Sequence, residues 1–315
     1  MDSKVEIRMI FDSAAATVGR TPLVELKRLG KGLPGRVVAK LEMRNPCGSV
    51  KDRLGVALVE DAERRGVLRP GMTIVEPTGG NTGIGLAHAC AIKGYRLILT
   101  MPDSMSRERA ALLRYLGAEV VLTPGILMGD AVAEAMRIVR EVPNTLMLAQ
   151  FANPANPEMH RRTTAVEIWD DTGGDVDVFV SAVGTGGTIT GVGEVLKQRK
   201  PGVLIVAVEP SGAALLSGGA AGKHQMPGIG IGFIPSVLNR EIVDEVVVVT
   251  DEEAFECSRR LARTEGIIAG VSSGAALHAA LKIAGRRDSA QKMIVVLLAD
   301  TGERYISSNL FALES

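Results

Sequence analysis

Residues 76–87 read EPTGGNTGIGLA, a stretch in which four glycines, two threonines and an asparagine interrupt an otherwise apolar sequence. The run before it, MTIVEP, has the composition of a buried β-strand, and residues 82–92 have a helical pattern. A strand that passes through a glycine-rich turn into a helix is the repeating unit of a parallel sheet. The turn also exposes backbone N–H groups at a helix N-terminus, where an anion is stabilised.

The same alternation extends along the chain and predicts the fold class. Helical periodicity fills segments such as residues 107–116, 131–141 and 252–264. Uniformly apolar runs, typical of strands covered by helices on both faces, lie between such segments: RVVAKLEM, MTIVEP, RLILTMP, AEVVLT, VDVFVSAV, VLIVAVEP, EVVVVT and KMIVVLLAD. The sequence therefore predicts an α/β fold with mainly parallel sheets and right-handed crossovers. The glycine-rich residues 218–232 are predicted to form a long surface loop.

The composition favours small-molecule chemistry over binding to nucleic acids or membranes. Of 315 residues, 46% are hydrophobic, and Lys plus Arg equals Asp plus Glu at 36 each, so no net charge attracts a polyanion. Three cysteines without C-x-x-C spacing indicate a reducing compartment. The four histidines never stand at metal-ligand spacing, so we expect no metal site. The first twenty residues lack the apolar segment of a signal peptide, which predicts a cytoplasmic protein.

Two other glycine-rich turns bear on the choice of ligand. Residues 30–35, GKGLPG, match a dinucleotide fingerprint as a string, but they precede a strand and include a proline. Residues 184–188, GTGGT, follow a strand and open a helix, yet Ile189 stands where the fingerprint requires glycine. A dinucleotide is therefore disfavoured. The GTGGT turn suits a single phosphate, although a tight turn that needs glycine only for its backbone angles fits the string equally well.

One lysine stands in a position that favours covalent chemistry. Residues 45–53, NPCGSVKDR, follow the strand RVVAKLEM and open a helical pattern over residues 52–64. A helix N-terminus and burial both disfavour the ammonium form of Lys51, which leaves a nucleophilic amine. From this string alone, a solvated Lys51 in an ordinary capping segment is the simpler interpretation.

Seven segments together indicate a family. SVKDR, PTGGNTGIGLA, QFANPANP, GTGGT, GIGIGFIP, GVSSGAA and DTGERY occur in the order, and at about the intervals, found in the cysteine synthases, or O-acetylserine sulfhydrylases. The chain resembles these fold-type II pyridoxal phosphate enzymes from Ile10 to Tyr305. The resemblance implies a tryptophan synthase β-like fold, with two open, twisted, mainly parallel sheets flanked by helices and the cofactor between domains. It places a smaller α/β domain at residues 43–153 and a larger one at residues 1–42 and 154–315, and it implies a homodimer.

The resemblance also implies roles for individual residues. Lys51 would form the imine with pyridoxal 5'-phosphate, Asn81 would hydrogen-bond the ring hydroxyl oxygen, and Ser272 would face the pyridine nitrogen. The cofactor phosphate would be held by Gly184, Thr185, Gly186, Gly187 and Thr188. The substrate would be bound by Thr78, Gly79, Gly80, Thr82 and Gln150, with Gly228 in a loop that moves over it.

The implied reaction is a β-replacement that forms L-cysteine from O-acetyl-L-serine and sulfide. Lys51, displaced from the cofactor by the substrate, would take the α-proton as general base. Elimination of acetate would leave an aminoacrylate, to which the thiol adds. A hydroxyl group in place of a carboxylate at the pyridine nitrogen favours elimination over transamination.

Gly79 departs from the family pattern, which usually has serine at this position. Glycine removes one hydrogen bond to the substrate carboxylate, about 1 kcal/mol, and is expected to enlarge the site. One alternative is therefore a cystathionine β-synthase of minimal length, with homocysteine as acceptor and O-acetylserine or serine as donor. Another is a catalytically silent regulatory partner of serine acetyltransferase, an enzyme whose C-terminal tail enters the active site of cysteine synthases. The presence of Lys51, Asn81 and Ser272 argues against the silent partner.

Overall fold

The computed structural model describes residues 10–105, 107–125 and 128–312. The described strands are β1 (Leu23–Glu25), β2 (Arg36–Leu41), β3 (Thr73–Pro77), β4 (Arg96–Pro102), β5 (Glu119–Thr123), β6 (Thr145–Met147), β7 (Val176–Ala182), β8 (Leu204–Pro210), β9 (Glu245–Val249) and β10 (Met293–Leu298). They form a six-stranded sheet in the order β1-β2-β10-β7-β8-β9 and a four-stranded sheet in the order β5-β4-β3-β6. Every neighbouring pair is parallel except β1 and β2. The predicted fold class is confirmed.

Helices connect most of these strands. They are α1 (Lys51–Arg64), α2 (Asn81–Lys93), α3 (Arg107–Tyr115), α4 (Met128–Glu141), α5 (Ala155–Arg162), α6 (Thr164–Asp171), α7 (Gly187–Arg199), α8 (Asp251–Glu265) and α9 (Val271–Ala284). All eight apolar runs form strands, and the predicted helical segments are helices within a few residues of their expected ends. Residues 218–232 contain no helix or strand, in agreement with the predicted loop.

Each sheet is covered on both faces, as uniformly apolar strands require. In the six-stranded sheet, Val180 packs in the cluster that includes α8 and α9, while its neighbour Phe179 packs in the cluster with α6 and α7. In the four-stranded sheet, Ile74 joins the cluster of α1 and α2, while Val75 packs against α4. Side chains of successive strand residues point to opposite faces, so a run that is apolar at every position fills two layers of core.

Two glycines bring α1 and α2 into backbone contact. A β-carbon placed on Gly55 would lie 2.2 Å from the Gly85 carbonyl oxygen, and one placed on Gly85 would lie 2.2 Å from the Lys51 carbonyl oxygen. No larger residue fits at either position without moving a helix. This contact holds the first residue of α1, Lys51, beside the helix that the EPTGGNTGIGLA stretch begins.

The predicted domain division stays a prediction. Residues 43–153 contain all four strands of the smaller sheet, and the six strands of the larger sheet lie before and after that segment. Within the described residues, no helix combines the length and the apolar character that crossing a bilayer requires.

Candidate active site

A cavity of about 320 Å³ opens where strands of both sheets end. The segments that follow β3, β4, β6, β7 and β10 all contribute to its walls. Ligands of open α/β sheets bind in this position, outside the carboxyl ends of the strands. Most of the predicted site residues line the cavity: Lys51, Thr78, Gly79, Gly80, Asn81, Thr82, Gln150, Gly184, Thr185, Gly186, Thr188, Gly228 and Ser272. Gly187 does not line it.

Lys51 is fixed at the cavity by the chain that precedes it. The Val50 N–H donates a hydrogen bond to the Ala299 carbonyl at 2.8 Å, and the Thr301 N–H donates to the Gly48 carbonyl at 3.1 Å. These bonds join the start of α1 to the segment after β10. Burial lowers the pKa of the Lys51 ammonium, although the carboxylates of Asp300 and Glu42 oppose that shift. The site therefore shifts Lys51 toward its neutral, nucleophilic form.

A buried ion network holds the first turn of α1 against the larger sheet. Arg53 donates to both carboxylate oxygens of Glu42 at 2.8 and 2.9 Å, and to both oxygens of Glu167 at 2.7 Å. The Lys40 ammonium, fully buried in β2, lies 2.8 Å from Glu167. Hydrogen bonds and attraction from Arg53 and Lys40 outweigh burial and lower the pKa of Glu167 to about 2. Sequence reasoning missed this network because its members stand far apart in the chain.

The turn at residues 184–188 offers donors for an anion. It leads into α7, whose N-cap residue Gly186 has a φ of 83° and no side chain to cap the helix, while the Gly187 N–H donates to the Thr185 hydroxyl at 3.3 Å. A β-carbon on Gly184 would lie 2.1 Å from the Gly228 carbonyl oxygen, so glycine is required for this loop to approach. The first turn of α7 lines the cavity together with Thr185 and Thr188, and a helix N-terminus in this position binds a phosphate.

Two buried residues behind this turn were not predicted as site residues. His160 lies within hydrogen-bond distance of the Thr188 hydroxyl, at 3.1 Å, and burial lowers its pKa well below the usual value. Asn156 donates from its amide nitrogen to the Thr185 hydroxyl at 3.0 Å. Gly187 packs against Asn156, because a β-carbon there would lie 1.9 Å from the amide oxygen. Asn156 belongs to the segment QFANPANP, which the sequence analysis singled out without assigning a role to this residue.

Asn81 and Ser272 stand in the first turns of α2 and α9. The Asn81 amide nitrogen donates to Asp300 Oδ2 at 2.7 Å, and the Arg304 guanidinium donates to the Asn81 amide oxygen. Ser272 lines the cavity, whereas the hydroxyl of the adjacent Ser273 accepts a hydrogen bond from the Ala299 N–H at 2.9 Å. Of the two serines, one faces the cavity and the other supports the fold.

The turn of residues 78–82 and Gln150 form one side of the cavity. Thr82 donates its hydroxyl hydrogen to the Gln150 side-chain oxygen at 2.6 Å. The buried carboxylate of Glu76 accepts hydrogen bonds from three consecutive N–H groups, those of Leu148, Ala149 and Gln150, at 3.0 to 3.1 Å. Ala149 has a φ of 56°, an uncommon value for alanine. Glu76 thus stabilises a strained turn that places Gln150 opposite Thr82.

The expectation that Gly79 enlarges the site is wrong. A β-carbon on Gly79 would lie 2.3 Å from the Met105 sulfur and 3.0 Å from two carbons of Met101. The two methionines therefore occupy the space that a side chain at this position needs. Close packing of the interior explains the result, since neighbouring side chains fill the volume that a missing one leaves.

The arrangement brings together an amine and two places for anions. The N-cap residues of α2 and α7 are glycines, which have no capping side chain, and the first turns of both helices line the cavity. A loop with positive φ at Gly228, Gly230 and Gly232 forms another wall, through Gly228 and Ile231. The described residues include no cluster of three or more His, Cys, Asp or Glu that is arranged to hold a metal ion. Such a site suits amine chemistry on a ligand with a phosphate and a substrate with a carboxylate.

Known proteins share both the sequence and the fold. The family model described as pyridoxal-phosphate dependent enzyme matches residues 15–300. Cysteine synthase A of Escherichia coli (strain K12) is 50% identical over 96% of each chain, and a probable cysteine synthase of Bacillus subtilis is 48% identical over 96% of this chain and 98% of its own. The crystal structure of cysteine synthase from Entamoeba histolytica superposes with a TM-score of 0.95 at 43% identity, covering 100% of this chain and 94% of its own. The chain therefore belongs to the cysteine synthases, within the family of pyridoxal-phosphate-dependent enzymes.

Proposed function

We propose that the protein forms L-cysteine from O-acetyl-L-serine and sulfide by β-replacement with pyridoxal 5'-phosphate. The observation that carries the proposal is the position of Lys51, a partly buried residue that lines the same cavity as the N-terminal turns of α2 and α7. Identity of about half the residues to cysteine synthases over nearly the whole chain supports the same activity.

The residues at the cavity fit the cofactor. Gly184, Thr185, Gly186 and Thr188 would hold the phosphate at the start of α7, with Gly187 continuing the turn as the first residue of that helix. Lys51 would supply the amine for covalent attachment, and Asn81 and Ser272 would flank the ring. When bound, pyridoxal phosphate supplies an electron sink that makes the α-proton of an amino acid acidic.

The turn at residues 78–82 would bind the substrate carboxylate. Backbone donors at the start of α2 stabilise an anion, and Thr78, Gly79, Gly80, Thr82 and Gln150 all line this part of the cavity. Lys51, once its amine is free, would accept the α-proton at Nζ. Since burial lowers the pKa of Lys51, a larger fraction of the amine is ready to accept a proton near neutral pH. Gly228 and its loop would cover the bound substrate.

The test is an assay of the purified protein with O-acetylserine and either sulfide or homocysteine. We expect cysteine formation to be the faster reaction, and loss of both the visible cofactor band and activity in Lys51→Ala. Faster cystathionine formation would assign the protein as a cystathionine β-synthase instead. A protein that binds a serine acetyltransferase but shows neither reaction would be a regulatory partner.

We further infer that the protein acts in the cytoplasm as a homodimer, as its resemblance to cysteine synthases suggests. Light scattering should give twice the chain mass of 33.2 kDa; a mass equal to one chain would contradict the dimer. A serine acetyltransferase is proposed as a partner, whose C-terminal peptide should compete with O-acetylserine for the cavity. Failure of that peptide to inhibit would remove this partner.

A further inference from the structure

We propose that Asp300 is a positioning residue, which holds Asn81 and Tyr305 at the cavity wall and fixes their arrangement around Lys51. The proposal deepens the proposed function and rests on it, because it concerns the base of the same reaction. Asp300 itself is 1% exposed and is not among the cavity-lining residues, so it acts through its neighbours.

The backbone of Asp300 is joined to the starts of two helices. Asp300 forms an isolated β-bridge with Ser49, which precedes Lys51 by two residues. Its carbonyl accepts a hydrogen bond from the Gly270 N–H at 3.0 Å, two residues before Ser272. A movement of Asp300 would therefore displace the segments that carry Lys51 and Ser272.

The side chain of Asp300 binds two groups that do line the cavity. Its Oδ2 accepts hydrogen bonds from the Asn81 amide nitrogen at 2.7 Å and from the Tyr305 hydroxyl at 2.6 Å. Asn81 lies in α2, which follows β3 of the four-stranded sheet, whereas Tyr305 follows β10 of the six-stranded sheet. This single oxygen therefore links a segment of one sheet to a segment of the other. Charge-assisted bonds of this length are among the stronger ones in proteins.

The second carboxylate oxygen is placed at an energetic cost. Asp300 Oδ1 is buried and has no hydrogen-bond partner among the described residues. A β-carbon on Gly270 would lie 2.2 Å from this oxygen and 2.6 Å from a Tyr305 ring carbon, so glycine makes room for the carboxylate. A buried polar atom without a partner is uncommon and destabilising. An unpartnered carboxylate oxygen directly behind two cavity-lining residues indicates a functional role more than a structural one.

The charge of Asp300 also acts on Lys51. Attraction by Asp300 is the largest of the effects that oppose burial and raise the pKa of Lys51, ahead of Glu42. When Lys51 holds the proton taken from the substrate, the Asp300 carboxylate stabilises the resulting ammonium. The other charged or titratable groups that face Lys51, Asp300 or their direct partners are Glu42, Asp52, Arg53, Arg109, His160, Arg304 and Tyr305.

The first variant that tests the proposal is Asp300→Asn in the full-length holoenzyme, which removes the charge and keeps the volume. Without the carboxylate, the Lys51 ammonium is less stable, so the acid limb of the pH profile of kcat should move to lower pH by about 1 pH unit. The turnover number should fall by up to about tenfold because Lys51 becomes a weaker base. The visible circular dichroism per bound cofactor should fall about twofold, because a neutral amide oxygen holds Asn81 and Tyr305 more weakly than a carboxylate does.

The matched variant is Tyr305→Phe, which removes one hydrogen bond to Asp300 and keeps the charge. Its circular dichroism should fall by a smaller factor, and its acid limb should stay at the pH of the unmodified enzyme. An unchanged signal in both variants overturns the positioning role, and an unmoved acid limb in Asp300→Asn overturns the action on Lys51. If Asp300→Asn does not fold, unchanged circular dichroism in Tyr305→Phe alone overturns the positioning role.

Two failures can be told apart. If the unmodified enzyme makes no cysteine from O-acetylserine and sulfide, the proposed function fails. The circular dichroism of the bound cofactor then still decides whether Asp300 positions the residues around it, since that signal needs no turnover.

Discussion

Gly79 and Gly80 are adjacent glycines whose surroundings differ sharply. Met105 and Met101 crowd the position of a β-carbon on Gly79, whereas nothing lies within 4 Å of one on Gly80. Gly80 is also the N-cap of α2 with extended backbone angles, a position where serine is favoured. Serine at position 79 therefore tests the cost of crowding, whereas serine at position 80 tests the effect of the backbone conformation alone.

We expect Gly79→Ser to destabilise the protein by about 1–3 kcal/mol, because the new side chain forces Met105 out of its place. Gly80→Ser should change the free energy of unfolding by less than about 0.5 kcal/mol. Urea denaturation of both variants measures the difference. Adding Met105→Ala to Gly79→Ser should recover part of the loss; equal stability of the two single variants would show that Met105 moves freely.

The elements around the site are held by contacts that no local pattern reveals, as α1 shows. Its first turn is joined to β2 and α6 by Arg53, Glu42, Glu167 and Lys40. The folded-state pKa of Glu167, about 2, lies below the usual 4.5. The stabilisation is therefore complete above pH 4.5 and is lost as the pH falls toward 2, with a magnitude on the order of 3 kcal/mol.

We expect Glu167→Gln to cost about 3–5 kcal/mol at neutral pH, because it leaves Glu42 as the carboxylate bonded to Arg53 and the half-exposed Asp171 as the carboxylate nearest to the buried Lys40. The difference in the free energy of unfolding between this variant and the unmodified protein should decrease as the pH is lowered from 5 to 3. Asp171→Asn is the control: Asp171 also faces Lys40, at 3.6 Å, but its side chain is 49% exposed, so the cost should stay below about 1 kcal/mol. Equal losses in the two variants, measured by urea unfolding, would contradict this account.

The contact between α1 and α2 gives a second test at the scale of elements. Gly85→Ala places a methyl group 2.2 Å from the Lys51 carbonyl oxygen, so we expect a loss of more than about 3 kcal/mol and a weaker affinity for the cofactor as Lys51 is displaced. Gly129→Ala in α4 is the matched control, because nothing lies within 4 Å of its β-carbon. That change should stabilise the protein by about 0.5–1 kcal/mol. In thermal unfolding, the melting temperature should fall for Gly85→Ala and rise for Gly129→Ala.

At the scale of the whole molecule, we propose that residues 43–153 form a domain of their own around the smaller sheet. Its strands should then exchange their amide hydrogens with one common free energy of opening, distinct from that of β7, β8 and β10. Native-state hydrogen exchange, read strand by strand, is the measurement. A single free energy shared by both sheets would show that they open together and would reject the division.

The whole fold was more predictable than the site. The eight predicted strands are apolar at nearly every position, which is a strong signal for a parallel sheet covered by helices. The strands β1 and β6 have three residues each, too few to show a periodic pattern of hydrophobic residues, and were missed. The turn at 184–188 lies between a strand and a helix, and Lys51 begins the helix after β2, so their place could be predicted. Asp300 and His160 could not, because burial and partners distant in sequence decide what they do.

The chain has no net charge, yet its cavity is surrounded by the N-terminal turns of α1, α2, α7 and α9. Each of these turns carries a partial positive charge from aligned peptide dipoles. The dipoles of these turns favour anions in the cavity, such as a phosphorylated cofactor or hydrosulfide, although the chain as a whole has no net charge. The orientation of four helices can therefore attract anionic ligands to the cavity, whatever the number of lysines and arginines in the chain.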